Sequence, residues 1–233
     1  QFGWDLQFLV TKIQDEGFNN LSPIYNVVAN NTALMGHSMG GGASFLAADS
    51  LCTNGNNQLK TIIGLAPAES TTNGVSSITS AANITIPSLI FSGSQDGVTP
   101  PNVHHIPIYE NLNSDFKTFI SILGGGHCYF SNPSFTCDFG ENVSSSGISL
   151  TRQEQQAITY YFLNFWLDYT LKDDCTDIFD FQDNLFSSND IEYYQVNTQT
   201  ANCEESMDGD INFDNFVNVT DIILLVNTIL SNQ

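Results

Sequence analysis

Residues 31–48 read NTALMGHSMGGGASFLAA, in which a short apolar run leads directly into a serine, Ser38, flanked by glycines. The run before Gly36 predicts a buried β-strand, and the small and apolar residues after Gly42 predict a helix. A sharp strand-to-helix turn holds its central serine exposed and strained, and small neighbours are needed because the two backbones pass closely. The pattern therefore predicts a nucleophile elbow at Ser38. The alternative is a glycine-rich turn whose serine only caps the helix.

The same strand signal recurs along residues 1–172 and indicates the fold class. The predicted strands are Asn31–Met35, Thr61–Leu65, Ser88–Ser92 and Thr118–Leu123. The stretches between them are long enough for helices, which is the alternation typical of a parallel α/β sheet. Trp4–Glu16 has the spacing of an amphipathic helix, and Thr151 with Glu154 forms a capping box before another helical stripe. The sequence predicts an α/β fold with a parallel sheet flanked by helices.

A serine hydroxyl becomes a strong nucleophile only when a base takes its proton and a carboxylate orients that base. Asp96 follows the predicted strand Ser88–Ser92 closely, and His127 follows the next strand after three glycines. The carboxyl ends of parallel strands meet at one edge of a sheet, where catalytic groups gather. We therefore predict that Ser38, Asp96 and His127 converge as nucleophile, orienting acid and base.

Four other polar residues have competing interpretations. His37 lies within the elbow, and we expect it to pack beside the turn. His104 and His105 precede a predicted helix, where we expect surface or structural roles, with metal binding as the alternative. Glu69 follows the second predicted strand, and it either faces a substrate or is a loop charge.

Charge and hydropathy exclude two classes of partner. The chain of 233 residues has 5 Lys and Arg against 25 Asp and Glu, a net charge of −20, so nucleic acids and anionic membranes would repel it. The longest apolar runs fall far short of the roughly 20 residues that span a bilayer. The sequence predicts a soluble protein.

The five cysteines show no CxxC pair and no histidine at zinc-finger spacing, which disfavours a structural zinc site. We predict disulfides Cys128–Cys137 and Cys175–Cys203, with Cys52 left over. Disulfides persist in oxidising compartments, so the cysteines predict a secreted protein.

The last block, residues 207–233, is predicted to be a separate calcium-binding module. Its oxygen-bearing groups recur through a loop with the spacing of Ca²⁺ ligands, and an apolar helical face follows. The predicted ligands are Asp210, Asn212, Asp214, the Phe216 carbonyl, Asn218 and Asp221. The alternative is an acidic turn before a helix. Residues 173–206 have no clear period, which indicates a linker pinned by Cys175 and Cys203.

Residues 1 to about 172 resemble the second half of α/β-hydrolase enzymes, most closely cutinase-like polyester hydrolases and dienelactone-hydrolase-like esterases. The resemblance is carried by Gly36–Gly42, by Ile86–Phe91 ahead of Asp96, and by Gly124–His127. It implies a serine hydrolase that cleaves carboxylic esters, polyesters among them, through an acyl-enzyme intermediate and without a catalytic cofactor.

The resemblance also implies residue roles, motif by motif. Ser38 is the implied nucleophile, His127 the base and Asp96 the group that orients the base. The backbone N–H of Met39 is implied as one oxyanion-hole donor. The loop Cys128–Cys137 looks like a bracing disulfide that some secreted members carry near the active site. Residues 207–233 are similar to one repeat of a type I dockerin, which implies docking to a partner.

The chain departs from the family pattern at two places. Ala68 stands where hydrolases of poly(ethylene terephthalate) usually carry a tryptophan that forms an aromatic platform. Only 37 residues precede Ser38, where the family has several strands and the second oxyanion donor. We therefore expect the remaining strands to come from an upstream segment or from a second chain.

Two other function classes fit the same residues. A catalytically silent binding or cell-surface module could keep the fold, although an idle site has no physical need for Ser38, Asp96 and His127 at three strand ends. A peptidase or thioesterase could use the same triad, because fold and triad do not specify the acyl group.

Overall fold

The computed structural model describes residues 1–28, 30–70, 74–198 and 218–231. The chain divides into two compact units, Gln1–Thr198 and Gln199–Gln233. Helices long and apolar enough to cross a membrane do not occur among the described residues.

Helices and strands alternate through most of the first unit. The helices are α1 (Phe2–Phe18), α2 (Met39–Thr53), α3 (Ser77–Ala81), α4 (His105–Asn111), α5 (Phe135–Ser144), α6 (Arg152–Lys172) and α7 (Cys175–Ser187). The strands are β1 (Thr32–His37), β2 (Leu59–Leu65), β3 (Ser88–Gly93), β4 (Phe116–Ile122) and β5 (Ile191–Asn197). A short 3₁₀ helix, Cys128–Phe130, follows β4. The second unit contains helix α8 (Val219–Ser231).

The strands form one sheet in the order β1-β2-β3-β4-β5. The first four strands are parallel, and β5 pairs antiparallel with β4. Parallel strands need crossover connections, which α2, α3 and α4 provide between successive strands. Because these strands are parallel, the carboxyl ends of β1, β3 and β4 lie along the same edge. The predicted α/β fold is confirmed.

The core fills both faces of this sheet. Phe45 of α2 packs with Ile62 and Ile90 in one buried cluster. On another part of the sheet, Trp166 of α6 is fully buried and donates its Nε1–H to Thr61 Oγ1 over 2.8 Å. A buried indole N–H needs such a partner, so this bond helps to seat α6 against β2. The capping box that begins α6, Thr151 with Glu154, is confirmed.

The interpretation of residues 173–206 as a linker is wrong for their described part. Residues 175–187 form α7 and residues 191–197 form β5, which extends the sheet. Phe181 of α7 is 0% exposed and packs edge-on against Phe162 of α6. The apolar residues of α7 recur with helical spacing. Asp and Asn residues on the outer face of the helix stand between them, so the helical period is hard to recognise in the sequence. The first compact unit therefore extends to Thr198.

Candidate active site

Ser38 sits at a sharp turn between β1, which ends at His37, and α2, which begins at Met39. Its backbone has φ 57° and ψ −125°, in a region that non-glycine residues rarely occupy. Such a conformation costs on the order of 1–3 kcal/mol and persists only where the surroundings enforce it. A Cβ on Gly36 would overlap the Gly40 carbonyl, so the elbow requires glycine there. The structure thus has the strained turn that the sequence predicted.

The structure brings the three predicted site residues together in one hydrogen-bonded chain. His127 Nε2 lies 2.9 Å from Ser38 Oγ, and His127 Nδ1 lies 2.8 Å from Asp96 Oδ2. His127 is 1% exposed and Asp96 is 4% exposed, whereas Ser38 is half-buried. These distances permit proton transfer from the serine to a histidine held by a carboxylate.

Asp96 is held as a charged carboxylate. Its Oδ1 accepts the backbone N–H groups of Val98 and Thr99 at 2.9 and 2.7 Å. Burial raises the pKa of Asp96. The hydrogen bond and charge of His127 and the hydrogen bond from the Thr99 N–H together lower it by more, so the net pKa lies below its usual value. A carboxylate that stays ionised can orient His127 and stabilise its imidazolium form.

Met39, the predicted oxyanion donor, is the first residue of α2. The N–H groups in the first turn of a helix have no acceptor within that helix, and they favour a negative charge. The Met39 N–H therefore belongs to a set of groups suited to stabilise an oxyanion beside Ser38.

The loop that presents His127 is clamped by two buried side chains that the sequence patterns did not indicate. Glu141 of α5 accepts the backbone N–H of His127 at 2.8 Å and that of Cys128 at 2.5 Å. Gln155 of α6 accepts the Gly126 N–H and donates to the Gly126 carbonyl, at 2.9 and 2.8 Å. No sequence motif indicates these contacts, because Glu141 and Gln155 are distant in sequence from the loop they hold and bond to its backbone. The histidine is thus positioned by two helices.

Replacing Glu141 by glutamine should destabilise the protein. A carboxylate accepts both N–H groups, whereas the NH₂ of an amide would face one of these donors. A buried donor without an acceptor costs about 1–3 kcal/mol, so we expect that loss in the free energy of unfolding. Urea denaturation measures it, with Glu110→Gln on the exposed side of α4 as a control that shifts stability by about 0.5 kcal/mol or less. Equal stability of Glu141→Gln and the unmodified protein would contradict the clamp.

The disulfide Cys128–Cys137 is confirmed, with a Cα–Cα distance of 5.8 Å. It ties the 3₁₀ helix after His127 to α5, the helix that carries Glu141. Cys175 is disulfide-bonded, and its predicted partner Cys203 lies outside the described residues. Cys52 is a free thiol.

The remaining histidines surround the same site. His37 Nε2 lies 3.0 Å from the His127 carbonyl, beside the turn as expected. His104 Nδ1 accepts the Glu69 N–H at 2.9 Å, and His105 is fully buried in the first turn of α4. The Glu69 carboxylate accepts from Ser77 Oγ at 2.6 Å, which ties it to α3, a structural contact that neither interpretation of Glu69 predicted.

One half-buried and one fully buried histidine predict a loss of stability on mild acidification. Burial lowers the pKa of His37 to about 4 and the pKa of His105 to about 3. Unfolding returns each pKa to about 6.5, so below that pH the unfolded chain binds more protons and stability falls. Between about pH 6.5 and about pH 5 we expect a loss of about 1.5 kcal/mol per histidine. Urea denaturation at the two pH values measures it, and equal stability at both would contradict the burial of neutral histidines.

A largely apolar pocket of about 190 Å³ lies beside the elbow. Its lining includes Met39, Ala43, Leu46, Ala68 and Val75. Met39, the residue after Ser38, lines this pocket, so the pocket lies at the start of α2.

The calcium ligands predicted at Asp210, Asn212, Asp214 and Phe216 lie outside the described residues. Of the other two, Asn218 precedes α8 and donates its backbone N–H to Asp221 Oδ2 over 2.8 Å. Within the described part of the chain, no group of three or more His, Cys, Asp or Glu is arranged to hold a metal ion. Calcium binding stays a prediction.

Residues 6–153 match the family model PETase, described as PET hydrolase-like. No curated protein matches the chain. The family match covers more than half of the chain, including the elbow and the loops that carry Asp96 and His127. The chain therefore belongs to the PETase family of PET hydrolase-like proteins, which are ester hydrolases of the α/β-hydrolase superfamily.

Proposed function

We propose that this protein is a serine hydrolase that cleaves carboxylic esters, polyesters among them, through an acyl-enzyme intermediate. The observation that carries the proposal is the chain of short contacts from Ser38 Oγ through His127 to Asp96. Ser38 Oγ attacks the ester carbonyl while His127 Nε2 takes its proton. His127 then gives this proton to the leaving alcohol, and the acyl group remains on Ser38. Water, deprotonated by His127, attacks the acyl-enzyme, and the acid leaves as His127 returns the proton to Ser38 Oγ.

Charge stabilisation follows from the same geometry. Asp96 is charged and buried, so it stabilises the imidazolium that His127 becomes during proton transfer. The Met39 N–H at the start of α2 stabilises the oxyanion of the tetrahedral intermediate. Each interaction strengthens as charge develops, which is the condition for lowering the barrier.

The pocket beside Met39 supports a preference for aliphatic esters. Ala68 lines this pocket where hydrolases of poly(ethylene terephthalate) usually carry a tryptophan, so its methyl group offers no ring for stacking at that position, and the aromatic side chain in the lining is Phe2. A pocket of about 190 Å³ with an apolar lining suits a short alkyl chain. We therefore propose aliphatic esters and aliphatic polyesters as the preferred substrate class.

Two measurements test the proposal together. A fluorophosphonate probe reacts with activated serines, and we expect a single adduct on the peptide that contains Ser38, located by mass spectrometry. A panel of p-nitrophenyl esters of rising acyl length, with a p-nitroanilide and a thioester of matched acyl group, then establishes the reaction class. No adduct at Ser38, or faster cleavage of the anilide or thioester than of the ester, would overturn the proposal.

We also propose that the protein is secreted and that its sheet is completed by further strands. Disulfide formation at Cys128–Cys137 supports an oxidising compartment. In the described part of the chain, β1 is an edge strand, and Trp4 on nearby α1 is 75% exposed. An exposed parallel edge and exposed apolar side chains favour additional strands, from an upstream segment or a second chain, which would also carry the second oxyanion donor.

We propose that the dockerin-like residues 207–233 bind Ca²⁺ and dock to a partner. The carboxylates of Asp210, Asp214 and Asp221 repel one another within this short stretch, and a cation would neutralise that repulsion. Calorimetric titration of the full chain with calcium should show uptake, and replacing all three aspartates by asparagine should abolish it. No uptake by the unmodified chain would reduce these residues to an acidic turn.

A further inference from the structure

A second line of buried polar side chains reaches Asp96 through Thr99, whose Oγ1 also lies 2.7 Å from His127 Nδ1. His105 of α4 lies with Nδ1 2.8 Å from Ser92 Oγ and with Nε2 3.0 Å from Thr99 Oγ1. Thr99 Oγ1 in turn lies 3.0 Å from Asp96 Oδ2. Ser92, Thr99 and His105 are all buried, with His105 0% exposed. The four groups form a continuous path from Ser92 on β3 to the carboxylate.

One assignment of protons satisfies every group on this path. Thr99 has a single hydroxyl hydrogen, and donating it to Asp96 leaves the two lone pairs of Oγ1 to accept the Nε2–H of His105 and to share the Nδ1–H of His127 with the carboxylate. His105 Nδ1 then has a lone pair, which accepts the hydroxyl hydrogen of Ser92. In the opposite tautomer, Thr99 would donate to His105 instead, and Asp96 would lose a donor. Ser92 would then have the Gly93 carbonyl at 3.5 Å as its acceptor, a distance at the limit of a hydrogen bond.

The charge state of His105 agrees with this assignment. Burial lowers the pKa of His105 to about 3, Asp96 raises it, and the nearby His127, His104 and His37 lower it. A neutral imidazole has one N–H donor and one acceptor, as the path requires. His105 lies 3.8 Å from Asp96 Oδ2, so it reaches the carboxylate through Thr99.

We propose that His105 is a positioning residue for the reaction, holding the Thr99 hydroxyl in the orientation that donates to Asp96. This inference rests on the proposed serine-hydrolase function. Hydrogen bonds in a chain polarise one another, so the His105 N–H strengthens the bond that Thr99 donates to the carboxylate. The Asp96 carboxylate is thereby held in one orientation and made less basic, and its Oδ2 accepts hydrogen bonds from both Thr99 and His127.

Two substitutions at His105 separate this role from simple packing. Glutamine places an NH₂ donor near the position of the histidine Nε2, whereas asparagine reaches only the position of Nδ1. We expect His105→Gln to retain kcat within about threefold and His105→Asn to lose about tenfold with KM unchanged, the effect of one hydrogen bond to a charged group. In His105→Asn, Asp96 becomes more basic and holds imidazolium more strongly, so the acid limb of the kcat/KM profile should move to higher pH.

A second pair of variants tests the same path if His105→Asn does not fold. Thr99→Ser keeps the hydroxyl and should keep kcat, whereas Thr99→Val keeps the shape and should lose about tenfold. Rates are divided by the concentration of active sites, counted with the fluorophosphonate probe, so that misfolded protein does not enter the comparison. Thermal melting of each variant supplies the fold control.

The outcomes are distinct. Equal kcat in His105→Asn and His105→Gln, or an unmoved pH profile in His105→Asn, would overturn the positioning role. Equal kcat in Thr99→Ser and Thr99→Val would overturn it as well. If Ser38→Ala is inactive while these variants match the unmodified protein, the proposed function stands and the role of His105 fails. If Ser38→Ala keeps its activity, both fail.

Discussion

Replacing Ser38 by alanine should lower kcat for a p-nitrophenyl ester by about 10³-fold or more, because Ser38 supplies the bond-forming oxygen. The fold should survive, since the change removes one half-buried hydroxyl and leaves a methyl group at the elbow. The substitution removes the hydrogen bond between Ser38 Oγ and His127 Nε2, which lie 2.9 Å apart, and such a bond is worth about 1 kcal/mol in net stability. The residual rate reports what Met39 and the pocket contribute without the nucleophile.

The measurement compares steady-state kcat and urea denaturation of Ser38→Ala with those of Ser50→Ala. Ser50 is on α2 near its C-terminal end and has no part in the proposed chemistry. We expect Ser50→Ala to keep its activity and Ser38→Ala to lose both activity and the probe adduct. Retention of most activity by Ser38→Ala would remove this residue from the mechanism.

The three central residues were predictable because each follows a strand at the sheet edge. Ser38 follows β1, Asp96 follows β3 closely and His127 follows β4, so the topology of a parallel sheet places them together. Strand periodicity and glycine spacing are local signals, and they give the position of each group without knowledge of distant contacts. The disulfide Cys128–Cys137 was predictable for the same reason, since it closes a short loop.

The residues that orient this centre could not be predicted in the same way. Glu141 bonds to the backbone of His127 from another helix, and a backbone acceptor leaves no pattern in the sequence. His105 was expected to be structural or at the surface, and its path to Asp96 depends on how α4 packs against β3. Such contacts arise from tertiary packing, so only the assembled fold reveals them.

Strand β5 shows a different limit. Its residues, IEYYQVN, include β-branched and aromatic types, but they follow a stretch rich in Asp and Asn. The strand is at the edge of the sheet and leaves several side chains exposed, so no clean alternation marks it. Its pairing with β4 is antiparallel, which the alternation of parallel strands did not predict.

Replacing Asp96 by asparagine should lower kcat by about 10⁴-fold with little change in KM, because the histidine would take the wrong tautomer. If the new NH₂ faces His127, Nδ1 must accept, and its proton moves to Nε2. An Nε2–H points at Ser38 and cannot receive the serine proton, so general-base catalysis stops.

The opposite orientation of the amide in Asp96→Asn would not restore activity. Its NH₂ would then face the N–H groups of Val98 and Thr99, which donate to Oδ1 over 2.9 and 2.7 Å in the folded protein. In a buried site, an NH₂ group facing two N–H donors would cost more free energy than the change of tautomer. The test measures kcat/KM and the NMR resonance of the His127 ring proton in Asp96→Asn, with Asp115→Asn in an exposed turn as the control. We expect the Nδ1–H resonance to disappear along with activity. An Asp96→Asn variant that keeps kcat within tenfold would show that the carboxylate has no role in setting the tautomer of His127.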